Sequence, residues 1–105
     1  MKQTITINGR PISEGHPCFI IAEAGVNHNG SLATAKRLVN VAVSSGADAV
    51  KFQTFHAEGL VVEGVSIADY ARKNLGATPH QRDMVKRLEL SYPEFRKLKA
   101  YCDTK

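Results

Sequence analysis

The chain has 105 residues, of which 43% are hydrophobic and 23% are charged, a composition that suits one small globular domain. Its 14 Lys and Arg residues exceed its 10 Asp and Glu residues, for a net charge of +4. The basic residues are scattered, so we expect no nucleic-acid partner. We expect no membrane partner either, because no apolar run reaches membrane length. Two cysteines indicate reduced thiols and a cytoplasmic location rather than a disulfide scaffold.

The first predicted element is a β-hairpin. Residues Thr4 to Ser13 alternate around Asn8-Gly9, which favours a type I′ turn because both residues tolerate positive φ. Residues 1–16 would form this hairpin and a lead-in. A strand over Cys18–Glu23 follows, with apolar residues on both faces until Glu23. Such continuous runs are typical of parallel strands that are covered on both sides.

An amphipathic helix is predicted next. Ser31 suits its N-cap, and Gly46 suits a left-handed residue after its end. Between them, an apolar stripe at helical spacing should face inward; it comprises Leu32, Ala35, Leu38, Val39, Ala42 and Val43.

The second strand, from Asp48 to Thr54, places Val50 and Phe52 on one face and Lys51 and Gln53 on the other. If the apolar pair packs against helices, Lys51 and Gln53 should share the opposite side with Glu23. The strand–helix–strand order indicates a parallel βαβ unit, whose ligands bind at the carboxyl ends of the strands. Lys51 would then contact an anion. The alternative is an internal salt bridge to Glu23.

The rest of the chain predicts a long connection and two helices. The connection runs from Phe55 to Gln81 and favours a short helix over Ser66 to Asn74. Thr78-Pro79 would start a helix that ends near Leu88, with Met84, Val85 and Leu88 inward. Ser91 and Glu94 predict a capping box for a last helix, whose inner side comprises Phe95, Leu98, Tyr101 and Cys102. This order resembles the opening portion of a (β/α)8 barrel, which typically needs about 250 residues.

The strings FIIAEAGVNHNG and GADAVKFQTF, together with the run KRLELS from Lys86 to Ser91, resemble the N-terminal part of the sialic acid synthase (N-acetylneuraminate synthase) family. The resemblance extends from about Pro17 to Asp103. It implies an α/β fold: the opening βαβα portion of a (β/α)8 TIM barrel, preceded by the short hairpin. Residues 17–105 would be the first two βα units. The rest of the barrel and a C-terminal antifreeze-like domain would be absent from this chain.

The resemblance also implies an activity. Members of the family condense phosphoenolpyruvate with an N-acetylmannosamine-type sugar, or another N-acetylated amino sugar, and release phosphate. C3 of phosphoenolpyruvate attacks the open-chain aldehyde, water adds to the resulting oxocarbenium centre, and C–O cleavage expels phosphate. A divalent metal ion, Mn²⁺ or Mg²⁺, takes part, and its ligands would lie outside this chain. We expect the full-length enzyme to be a homodimer and residues 1–105 alone to be inactive.

The resemblance assigns roles to four residues. Glu23 would lie near the sugar aldehyde and the metal ion, Lys51 would hold phosphoenolpyruvate, and Gln53 would reach the sugar. An ammonium suits the second role because it is a compact charge for a carboxylate or phosphate. Asn74 aligns with a substrate-binding loop position. We therefore expect Glu23 and Lys51 to be catalytic.

Alternatives remain for some of these residues. His28, at the edge of the predicted site, is either a substrate contact or a turn histidine that caps the following helix. Lys51 is alternatively a Schiff-base lysine. No histidine has metal-ligand spacing, so we expect no metal site in this chain. The alternative function is a non-catalytic fragment or small partner module that retains a half-site and assembles by strand pairing.

Overall fold

The computed structural model describes residues 3–60 and 81–105, and these residues form an α/β structure, as predicted. The predicted helix over Ser66 to Asn74 and the Thr78-Pro79 helix start lie outside the described ranges. The elements in chain order are β1 (Ile5–Ile7), β2 (Arg10–Ile12), β3 (Ile21–Gly25), α1 (Leu32–Ser44), β4 (Ala49–Phe52), α2 (Ala57–Leu60), α3 (Gln81–Arg87) and α4 (Tyr92–Asp103).

The hairpin of β1 and β2 is confirmed. The two strands pair antiparallel, with Ile5 opposite Ile12. Asn8 and Gly9 have φ values of 48° and 81°, the two positive angles that a type I′ turn requires. Arg10 forms an ion pair with Asp48, the residue before β4. The hairpin is therefore attached to the second sheet by a charged contact.

The second sheet contains β3 and β4, which pair in parallel as predicted. β3 begins at Ile21, whereas the apolar run predicted a start at Cys18. The reason lies at Ile20, whose N–H donates to the carboxylate of Asp48 at 2.8 Å. The N–H of Ile20 thus bonds to a side chain instead of to the backbone of the neighbouring strand. Regular strand pairing therefore begins at the next residue, Ile21. β3 also continues to Gly25, two residues beyond the predicted end at Glu23.

Helix α1 has the predicted ends. The Ser31 hydroxyl accepts a hydrogen bond from the N–H of Thr34 at 3.2 Å, and Gly46 has a φ of 78°. The inner stripe is narrower than predicted, because only Ala35, Val39 and Ala42 are buried. Val43 is 47% exposed, so its assignment to the stripe is wrong.

Helix α4 covers α1 and the sheet. It begins at the predicted capping box: the Ser91 N–H donates to the Glu94 carboxylate at 2.8 Å, and the Glu94 N–H donates to the Ser91 hydroxyl at 3.3 Å. The core comprises Ala35, Val39, Leu90 and Leu98, with Leu32, Val50, Phe52, Phe95, Tyr101 and Cys102 packed against it. Val50 and Phe52 therefore face the helices, as predicted.

One expectation for the sheet is wrong. Ile20 and Ile21 are 52% and 55% exposed, so the described elements do not bury this part of the chain on both sides. The predicted connection after β4 contains a short helix, α2, at residues 57–60, which was not predicted. No helix among residues 3–60 and 81–105 is long and apolar enough to cross a membrane.

Candidate functional site

The polar residues of the two parallel strands meet at the carboxyl edge of the sheet. Glu23 is the register partner of Lys51, and the Lys51 Nζ donates to the Glu23 Oε2 at 2.8 Å. The side chain of Lys51 is 61% exposed and that of Glu23 is 55% exposed. The salt bridge that we considered as an alternative to anion binding is thus present. An ion pair this exposed typically contributes only about 0–1 kcal/mol, so a ligand with its own negative charge can compete for Lys51.

Gln53 joins this pair around Gly25. The N–H of Gln53 donates to the carbonyl of Gly25 at 3.2 Å, which continues the strand pairing past β4. A Cβ atom on Gly25 would lie 3.1 Å from the Gln53 Oε1 and 3.4 Å from the Glu23 Oε1. Both side-chain oxygens therefore border the space that glycine leaves open. The prediction that Glu23, Lys51 and Gln53 share one side is confirmed.

An irregularity in β3 shapes this edge. Glu23 pairs with Lys51 but Gly25 pairs with the next residue, Phe52, so Ala24 is an extra residue in the strand. Such a bulge redirects side chains and is frequent beside active sites. The bulge was not predicted, because the predicted strand ended at Glu23 and Gly25 lay outside it. Gly25 also has a φ of 56°, in the left-handed region that favours glycine.

His28 does not join these residues. Its side chain is fully buried, with the ring centroid 6.1 Å from that of Phe52, a residue on the helix-covered side. The N–H of Gly30 donates to its Nδ1 at 2.9 Å, so the proton is assigned to Nε2, which is buried and has no hydrogen-bond partner among residues 3–60 and 81–105. Burial lowers the pKa of His28, and the nearby Glu94 carboxylate opposes that shift. This is the geometry of the turn histidine, the alternative to a substrate contact.

Asn74 lies outside the described residues, so its role stays a prediction.

A cluster of polar contacts that was not predicted from the sequence surrounds the carboxylate of Glu89. The Glu89 carboxylate accepts from the N–H of Ala57 at 3.1 Å, contacts the Nδ1 of His56 at 3.1 Å and the Nζ of Lys86 at 3.4 Å. The Ala57 bond comes first among the causes that lower the pKa of Glu89. No local pattern signals this contact, because its partners lie 32 and 33 positions away.

The described residues do not fit a divalent metal ion. No group of three or more His, Cys, Asp or Glu in residues 3–60 and 81–105 could hold one. Glu23 could offer a single carboxylate, and that carboxylate already contacts Lys51. We therefore derive no chemical step through a metal ion. What the edge does provide is one cation, one anion and one neutral amide within reach of a small ligand.

The sequence of the chain is similar to those of several known proteins. The model of the NeuB family matches residues 38–105. The chain is 56% identical over 86 residues to the N,N′-diacetyllegionaminic acid synthase of Legionella pneumophila, covering 81% of this chain and 24% of that protein. It is 39% identical over 98 residues to the human N-acetylneuraminate-9-phosphate synthase, covering 90% of this chain and 26% of that protein. The chain thus spans about a quarter of the length of these relatives.

A solved structure agrees with these matches. The crystal structure of the N-acetylneuraminic acid synthetase from Leptospira borgpetersenii serovar Hardjo-bovis, in complex with citrate, superposes with a TM-score of 0.75. The superposition covers 99% of this chain and 32% of that chain, at 34% sequence identity. The similarity therefore includes the hairpin, the parallel strands and the helices that cover them.

Proposed function

The chain belongs to the NeuB family, as an N-terminal segment of such a protein, and we propose that the full-length protein is a phosphoenolpyruvate-dependent nonulosonic acid synthase. The reaction would join C3 of phosphoenolpyruvate to the open-chain aldehyde of an N-acetylmannosamine-type sugar and release phosphate. The names of the relatives from Legionella pneumophila and human support a sialic-type acid as the product class. The enzyme would be cytoplasmic and homodimeric, with its divalent metal ion held by residues outside this chain.

The proposed architecture is a (β/α)8 barrel in which residues 17–105 supply the first two βα units. The observed parallel pair, β3 and β4, with α1 between them, is the repeating unit of that fold. Its polar residues lie at the carboxyl edge, where barrel enzymes place their active sites. The remaining barrel units and an antifreeze-like domain would belong to the rest of the full-length protein.

The observation that carries the proposal is the exposed contact between Lys51 and Glu23. The Lys51 Nζ donates to the Glu23 Oε2 at 2.8 Å. We infer that the carboxylate or phosphate of phosphoenolpyruvate replaces Glu23 as the partner of Lys51. The exposed ion pair contributes only about 0–1 kcal/mol, so its loss costs little when an anionic ligand takes the place of Glu23.

The same exchange frees Glu23 for proton transfer. As the new C–C bond forms, the aldehyde oxygen must gain a proton, and the water that adds at C2 must lose one. Glu23 is the carboxylate at this edge, and we assign it the exchange of these protons. Gln53 offers both a donor and an acceptor, which suits hydrogen bonds to the hydroxyl or N-acetyl groups of the sugar.

The proposal is tested by phosphate release from the full-length protein. Phosphoenolpyruvate is supplied with Mn²⁺ and, in separate reactions, with N-acetylmannosamine, a legionaminic acid precursor or a pseudaminic acid precursor; a reaction without sugar measures background hydrolysis. We expect sugar-dependent release together with a product whose mass is that of the condensed acid. If phosphate release with every sugar is no greater than release without sugar, the proposed reaction is refuted. That result would favour the alternative, a non-catalytic partner module. For such a module, the exposed Ile20 and Ile21 offer an apolar contact.

A further inference from the structure

A four-residue segment at the end of α3 contacts both loops that leave the candidate site. We call this segment, Arg87–Leu90, the brace. Its first contact is with the loop after β3. Gly30 has a φ of 74°, and a Cβ atom there would overlap the carbonyl oxygen of Arg87 and lie 3.6 Å from the carbonyl oxygen of Glu89. The β3 loop therefore lies directly against the backbone of the brace.

The second contact of the brace is with the chain that leaves β4. The Glu89 carboxylate accepts from the backbone N–H of Ala57 and contacts the Nδ1 of His56, both at 3.1 Å. His56 and Ala57 follow Gln53 by three and four residues. The Glu89 side chain is only 14% exposed, so losing these donors would leave a poorly solvated carboxylate with Lys86 as its remaining partner. The contact therefore holds the chain after Gln53 in place.

The brace itself is fixed in the core. Leu90 is 2% exposed and packs in the cluster with Val39 and Leu98. The N–H of Ala57 lowers the pKa of Glu89, because its hydrogen bond stabilises the ionised carboxylate. Because Leu90, the residue after Glu89, is packed in the core, the backbone of Glu89 is held in place even if the β4 loop shifts.

We propose that Glu89 is a positioning residue that holds the chain after β4, and with it Gln53, against the brace and at a fixed separation from the β3 loop. This inference rests on the proposed function, in which Gln53 contacts the sugar. Lys51 lies within β4 and is held by strand pairing opposite Glu23, whereas the bond from the N–H of Gln53 to the carbonyl of Gly25 is the last one that joins the two strands before the β4 loop begins. Releasing the β4 loop should therefore disturb the sugar contact and leave the phosphoenolpyruvate contact in place.

The test compares Glu89→Gln with the matched control Glu58→Gln in the full-length enzyme. Both variants remove one negative charge, and both residues contact the same partner, Lys86, at 3.4 and 3.2 Å. The ion pair of His56 in the described part of the chain is with Glu89. We expect Glu89→Gln to raise the KM for the sugar about tenfold, since small misplacements are costly in catalysis, with an unchanged KM for phosphoenolpyruvate. A loss of folded enzyme would instead lower the apparent kcat and leave both KM values unchanged.

Amide hydrogen exchange at Ala57 provides a readout that does not depend on the reaction. Glu89→Gln should lower the protection of this amide, and Glu58→Gln should not. If the wild-type enzyme shows no sugar-dependent turnover, the proposed function fails while the exchange comparison still decides on the brace. Equal protection in the two variants, an unchanged KM for the sugar, or an equal rise in both KM values of Glu89→Gln would overturn the inference.

Discussion

Replacing Gly30 by alanine tests the close approach between the β3 loop and the brace. Two costs add at this position. The φ of 74° lies in the left-handed region, which costs an L-residue about 1–2 kcal/mol. The new Cβ would also overlap the carbonyl oxygen of Arg87, a backbone atom that cannot rotate away. Overpacking of this kind typically costs about 1–3 kcal/mol, so we expect a total loss of about 2–5 kcal/mol in the free energy of unfolding.

Gly46 provides the matched control. Its φ is 78°, almost the same as that of Gly30, and in the described part of the chain no heavy atom lies within 4 Å of the position of its Cβ. Gly46→Ala should therefore show the conformational cost alone, about 1–2 kcal/mol. The difference between the two variants isolates the contact with Arg87.

The free energies of unfolding are measured by urea denaturation of the wild-type and variant full-length proteins. We expect Gly30→Ala to unfold at a clearly lower urea concentration than Gly46→Ala, with the same dependence on urea. Equal losses in the two variants would show that the β3 loop does not contact the brace, and the reasoning from this close approach would then be wrong.

Two further predictions concern buried titrating groups. Burial lowers the pKa of His28 in the folded protein below its usual 6.5. As the pH falls, the histidine therefore takes up a proton in the unfolded chain before it does so in the folded protein. The free energy of unfolding should thus decrease as the pH falls below 6.5. In urea titrations at several pH values, His28→Phe should reduce the dependence of the free energy of unfolding on pH. The same pH dependence in His28→Phe as in the wild type would contradict this prediction, and so would an equal reduction in the control His16→Phe. Burial also raises the pKa of the Cys102 thiol, whereas Cys18 is exposed. When the protein is treated with iodoacetamide and its peptides are analysed by mass spectrometry, Cys18 should be modified before Cys102. Faster modification of Cys102 would refute this prediction.

Local sequence signals predicted the hairpin turn and the starts of helices α1 and α4 well. Asn8-Gly9 determines the hairpin turn through its own backbone preference, and Ser31 caps α1 through a bond to a residue three positions on. The capping box of Ser91 and Glu94 is equally local. Each signal involves residues that are neighbours in the chain, so the pattern of letters contains the whole interaction.

The features that sequence analysis missed depend on distant partners. The start of β3 is determined by Asp48, 28 positions from Ile20, and the bulge at Ala24 by the register with β4. Helix α2 begins where Glu89 accepts from Ala57. Strand parity did place Glu23 and Lys51 together, because a period of two holds in any strand. The burial of His28 could not be read in this way, since it depends on Phe52 and the covering helices.

The measurement that tests the central claim most directly is kcat/KM for phosphoenolpyruvate in full-length Lys51→Ala. Loss of a hydrogen bond to a charged group costs about 1.5–3 kcal/mol, a decrease of roughly tenfold to a hundredfold. The free energy of unfolding should change by less than about 1 kcal/mol, because the pair with Glu23 is exposed. Lys99→Ala, which removes an exposed lysine paired with Asp103 on α4, should retain wild-type kinetics. Wild-type kcat/KM in Lys51→Ala, or an equal decrease in Lys99→Ala, would contradict an anion site at this edge.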